Sequence, residues 1–267
     1  MNIKKYLTLT RAGIIEALQF RLGSLVIIAG NFVYIIIAYY LWKAIYASVE
    51  TESVNGMKFS DTLIYLVLAT SLFGFIEMYL VWQIGRDIQS GKIIIDIIKP
   101  VKYMPFMFWA TFGSVIMTFI MTFIPTFIVV YFLTDGAIHL GVNILFFLIS
   151  VVFAVIINFS IDFFIGTVCL YTESIWGINI MKEVIVLLLS GATIPITFFP
   201  EPFKTIVLYL PFQSIYNAPL TILTKGEMPV GEVLKMILIQ ALWAAAAVLI
   251  SSLFWKKSLK VITINGG

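Results

Sequence analysis

With 61% of its 267 residues apolar and only 12% charged, the chain departs from the composition of soluble domains, about 45–50% apolar and about 25% charged. That composition excludes an ordinary soluble enzyme or a nucleic-acid binder and marks an integral membrane protein. The apolar runs are continuous rather than alternating, which argues against a barrel and predicts an all-α membrane fold.

Taken in chain order, residues 3–21 mix Lys4, Lys5, Arg11, Glu16 and Arg21 with Leu7, Leu9, Ile14, Leu18 and Phe20. This pattern predicts a helix lying on the inner membrane surface, with residues 1–23 as a cytoplasmic interfacial unit. Lys4 and Lys5 superficially suggest a secretory signal. The apolar stretch begins only after Arg21, runs too long for a signal core and lacks an Ala-x-Ala site, so it is expected to be retained.

Residues 24–255 then hold six candidate spans, at 24–46, 62–84, 105–133, 141–171, 175–195 and 233–255. The fourth exceeds the length a bilayer requires and is expected to tilt or to extend beyond it. The fifth leads into a stretch interrupted by Pro195, Pro200, Pro202, Pro211, Pro219 and Pro229. Each proline removes a backbone donor, so residues 196–231 are predicted to form a re-entrant helical hairpin of two short helices, not a seventh span. Residues 256–267 form a basic tail.

Charge gives the orientation. Six spans put both termini on one side, and assigning Lys and Arg by that scheme gives twelve on the terminal side against five on the other. The excess places the termini, the basic 85–104 loop and the tail in the cytoplasm. The proline-rich region and the acidic loop with Glu50, Glu52 and Asp61 then face outward.

Catalytic chemistry has few candidates. Cys169 is the single cysteine and His139 the single histidine, which excludes an internal disulfide and a cysteine metal cluster. His139 reads as a polar turn residue. Asn158-Phe159-Ser160 matches a glycosylation acceptor but falls inside a span, where the pattern is without meaning. GRDIQSGK at 85–92 suggests a phosphate-binding loop, yet five residues separate its glycines instead of four, and Ile93 follows the lysine. No nucleotide site is expected in the chain.

Glu77 and Asp162 fall within spans, where an ionisable group is by default a functional candidate. Lys182 is assigned to the cytoplasmic side, so neither carboxylate has a predicted basic partner in the membrane. Structural or interfacial roles are therefore favoured for both. Trp42, Tyr46, Trp82, Tyr103, Trp109, Tyr171, Trp176 and Trp255 fall mostly near span ends and read as an aromatic belt.

Two stretches carry a family resemblance. GRDIQSGKIIIDIIKPVKYMPF resembles an Asp-Ile-x-Ser-Gly-x-Ile element followed by a Lys-Pro step, and LSGATIPITFFPEPFKTIVLYLPFQSIYNAP resembles Ser-Gly-x-x-x-Pro, Phe-Phe-Pro and Leu-Pro-Phe-Gln elements. Together with the span order, they make the chain similar to permease subunits of type-2 ABC exporters (ABC-2 permeases), above all the six-span members of about this length. The likeness covers nearly the whole chain.

The resemblance implies an outward pathway for an amphipathic or hydrophobic substrate (a drug, peptide, lipid or glycan carrier), formed by a homodimer or by pairing with a sister permease. It also implies a separate ATPase subunit that binds ATP and Mg, this chain holding no cofactor and having no catalytic residues of its own. Arg86, Asp87, Ile88, Gln89, Ser90, Gly91 and Lys92 would form the coupling segment, with Gly91 ending its short helix and Pro100 fixing the entry to the third span. Glu173, Lys182 and Glu183 would make a second cytoplasmic contact. Phe198, Phe199, Pro200, Phe212 and Tyr216 would form an outer gate, with plain packing of the hairpin as the competing reading. The setting would be a prokaryotic plasma membrane. A different class also stays open: a stand-alone transporter or channel driven by an ion gradient through Glu77 or Asp162.

Overall fold

The computed structural model describes residues 3–19, 21–49, 53–134, 138, 141–172, 174–225 and 228–265. His139, Glu50, Glu52 and Glu173 lie outside them. Two helices open the chain, α1 (Ile3–Gln19) and α2 (Arg21–Ala47). A two-residue hairpin follows, β1 (Ser53–Val54) pairing antiparallel with β2 (Met57–Lys58). Its turn is Asn55-Gly56, both at positive φ, the pair that a tight hairpin turn selects.

The second apolar run is longer than expected and is broken. It forms α3 (Phe59–Ile76) and α4 (Leu80–Gln89), separated by Glu77, Met78 and Tyr79. Glu77 is extended, and Tyr79 takes a left-handed conformation with φ +50°, so the helix axis is reset between them. Gly91 at φ +72° then caps the end of α4 and starts the short α5 (Lys92–Ile97). Gly91 is therefore where the helix turns, as the sequence suggests.

The third run forms α6 (Tyr103–Thr118) and α7 (Ile124–Leu133), joined through a π-helical turn at Phe119–Phe123. Pro125 stands just beyond that turn and cannot donate a backbone hydrogen bond, which a wider turn accommodates. The fourth run is α8 (Val142–Thr172), whose 31 residues extend about 46 Å against a hydrocarbon core of about 30 Å. The fifth run yields only the 14-residue α9 (Trp176–Leu189), because Gly191 turns left-handed just after it. Between Pro195 and the last helix stand two short helices, α10 (Glu201–Tyr209) and α11 (Asn217–Thr224), separated by a 3-10 turn at Pro211–Ser214. The last helix is α12 (Val230–Asn265).

Among the described residues, four helical stretches are long and apolar enough to cross a membrane: Phe59–Gln89, Tyr103–Phe132, Val142–Thr172 and Val230–Ile262. The chain is a multi-pass membrane protein. α8 is the central post, packed against α12, α4 and α11. Close approach depends on Gly166, where an added Cβ would come within 2.9 Å of the Ile84 side chain of α4. Polar groups also tie the helices: Ser251 donates to the Ser160 carbonyl at 2.7 Å, and Gln240 donates to the Ser214 carbonyl at 2.8 Å. The helix α1 crosses α6 at Gly13 and Gly113, with the Thr10 hydroxyl donating to the Trp109 carbonyl.

Candidate functional site

The break between α3 and α4 builds a buried charge cluster. Glu77 leaves the helical ladder and turns toward α9, while α8 presents Asn158 and Asp162, one helical turn apart. The Asn158 amide donates to the Ile76 carbonyl at 3.0 Å, satisfying an acceptor freed where α3 ends. It also reaches Asp162 Oδ2 at 3.5 Å.

Lys182 closes the cluster. Its Nζ lies 3.1 Å from Glu77 Oε2 and 3.0 Å from Asp162 Oδ1, and its side chain is 2% exposed. The expectation of a lysine on a cytoplasmic rim is thus replaced by a buried cation shared by two carboxylates, Glu77 from the α3–α4 break and Asp162 from α8. The signal was readable: Asn179, Lys182 and Val186 fall on the buried face of α9 at helical spacing. Glu183, expected beside Lys182 at the rim, is half-buried and accepts from the Asn179 amide. Burying three charges is costly unless they are paired and hydrogen-bonded, and here each one is paired.

The 85–92 segment, expected to couple to an ATPase, divides into two faces. Asp87 is turned inward, with a side chain 8% exposed, and pairs with Lys92 at 3.3 Å. Its position follows from the 3–4 spacing of Leu80, Ile84 and Asp87 along the buried face of α4. Arg86, Gln89, Ser90, Gly91 and Lys92 are exposed, and Ile88 is half-buried. Beyond Gly91, Ile94, Ile95 and Ile98 add exposed apolar surface, while Asp96 is buried and pairs with Lys99.

The 85–92 segment and the turn after α8 meet. Gly85 packs so closely on Ile175 that an added Cβ would lie 2.6 Å from its side chain.

The five aromatic and proline residues at 198–216 are not brought together as one constriction. Phe198 packs on Trp42, ring centroids 4.9 Å apart, and Phe199 on Phe203. Pro200 is exposed at the start of α10. Tyr216 is buried beside Phe73. Phe212 lines an apolar cleft of about 280 Å³ between α8, α9 and α12, next to Lys182, Trp243 and Ser251.

Curated proteins give no match to this chain. Residues 32–266 match the model of the family described as ABC-2 family transporter protein, and the chain belongs to that family.

Proposed function

We propose that the protein is the permease subunit of an ATP-driven exporter, two permeases forming the pathway and a separate ATPase subunit supplying the power stroke. Membership of the ABC-2 family supports a transporter membrane subunit. The observation that carries the coupling step is the exposed face formed by Gln89, Ser90, Gly91, Ile94, Ile95 and Ile98 on both sides of the Gly91 turn. Half of that face is large and apolar, with Ile98 75% exposed, and a soluble partner would cover it.

Rigidity is what such a surface needs in order to transmit motion. The Asp87–Lys92 pair ties the two sides of the Gly91 turn, and Gly85 locks α4 to the turn after α8. Force applied to α5 therefore passes into α4, whose inner end abuts the Glu77–Lys182–Asp162 cluster. Glu77 sits in the α3–α4 break, Asp162 on α8 and Lys182 on α9, so a shift of α4 that carries the break with it moves α8 and α9 or breaks a buried ion pair.

The terminal side bearing most of the Lys and Arg is assigned to the cytoplasm. Removing the buried Lys182 leaves eleven basic residues against five, and the orientation is unchanged. α10 and α11 then lie toward the outer surface as the re-entrant hairpin, and α1 lies at the inner face. An amphipathic or hydrophobic cargo suits the apolar cleft beside Phe212 and Trp243. A gradient-driven transporter using Glu77 or Asp162 has less room for its ion, because Lys182 already provides the cation for both.

The test is affinity capture of the detergent-solubilised chain from its native host, comparing wild type with an Ile95→Asp, Ser90→Trp double variant. A P-loop ATPase co-purifying with wild type and lost with the variant is the expected result. Its absence from both, with the permease dimer preserved, would transfer support to the gradient-driven reading.

A further inference from the structure

A second cavity, about 530 Å³, opens between α1, α4 and α6. Its walls carry four charged side chains: Glu16 from α1, Arg86 and Asp87 from α4, and Lys92 just beyond the Gly91 turn. Lys92 is held by Asp87 Oδ1. The remaining groups are unmet. Asp87 Oδ2 is buried without a hydrogen-bond partner, and among the described residues neither Arg86 nor Glu16 takes part in an ion pair. A buried acceptor left unsatisfied is uncommon and points to a ligand that donates to it.

The position of the cavity narrows the ligand. Arg86 and Asp87 stand in the last turn of the Phe59–Gln89 span, while Met78 and Tyr79 line the same cavity about 12 Å deeper along that segment. That range corresponds to the head-group layer and the upper hydrocarbon of one leaflet. The walls are mixed, with Gln83, Thr111 and Ser114 beside the charged side chains and Ala17, Met78 and Ala110 supplying apolar surface. Two unpaired charges of opposite sign and one buried acceptor complement a zwitterion whose cation bears N–H donors.

We propose that this cavity binds the head group of phosphatidylethanolamine, with the phosphate on Arg86 and the primary ammonium between Asp87 and Glu16. Phosphatidylcholine presents the same charges, but its quaternary ammonium has no hydrogen to donate to Asp87 Oδ2. Phosphatidylglycerol supplies the phosphate without any cation. Lipid binding here is independent of the transport reading, since it is measured on the permease with no ATPase present.

The experiment is native mass spectrometry of the purified chain exposed to the three phospholipids with matched acyl chains, and separately to free phosphoethanolamine. Wild type should retain phosphatidylethanolamine over the other two by about tenfold, the scale of one charge-assisted hydrogen bond. R86Q and E16Q should each reduce that retention to the phosphatidylcholine level. Both side chains are exposed, so an unchanged gel-filtration profile separates lost binding from lost folding. Equal retention of all three lipids by wild type, or undiminished retention by R86Q, would overturn the proposal. So would free phosphoethanolamine binding as tightly as the lipid, which would identify a soluble ligand.

Discussion

Lys182 is a buried cation that neutralises two buried carboxylates, Glu77 and Asp162. Replacing it with Met keeps most of the volume but leaves Glu77 and Asp162 buried without a cation, a change that costs about 3–5 kcal/mol when one partner of a buried pair is removed. Lys182→Met should therefore lower the thermal midpoint of the detergent-solubilised protein sharply. Adding Glu77→Gln and Asp162→Asn should recover most of the loss, because three neutral side chains need no counter-charge. A single variant as stable as wild type would show that the cluster is not an ion-paired unit. The sequence exposed each member separately but not their meeting. Glu77 and Lys182 are 105 positions apart, and no spacing rule connects residues on different helices. The helical spacing of Asn179, Lys182 and Val186 is the one local mark that Lys182 faces inward.

At the scale of elements, apolar length and punctuation made much of the chain legible. The four long spans and the Gly91 cap follow from patterns that local physics sets, whereas the Asn55-Gly56 hairpin turn, which carries an equally local signal, went unread. The break at Glu77–Tyr79 left no such mark, since neither glycine nor proline stands there; it is held by Asn158 from another helix, a tertiary cause. The crossing of α1 on α6 is likewise tertiary and rests on Gly13 and Gly113. A Cβ added at Gly113 would come within 2.2 Å of the Thr10 carbonyl oxygen, so Gly113→Ala must push α1 away. Trypsin should then cleave at Arg11 much faster than in wild type. Gly74→Ala, which meets open space, should leave the cleavage rate unchanged. Equal rates in both variants would mean that α1 is not held by this contact.

For the whole molecule, the family and the membrane class were legible from composition and from two motifs, and the match over residues 32–266 agrees with them. The division of the 85–92 segment into two faces was less so, because its outward face depends on how α4 rotates about its axis. Asp87 turns inward, and the isoleucines of α5 take the exposed places. On the proposed reading, the ATPase delivers force at that face, and the α10 side of the protein stays free of it. A photoactivatable side chain placed at Ile95, or at the exposed Tyr209 of α10, tests both statements in cells of the native host. Crosslinking of a P-loop ATPase at position 95 and not at position 209 is the result expected. No ATPase adduct at position 95, or equal adducts at both positions, would contradict the assignment of this protein as an ATPase-coupled permease oriented with that face inside the cell.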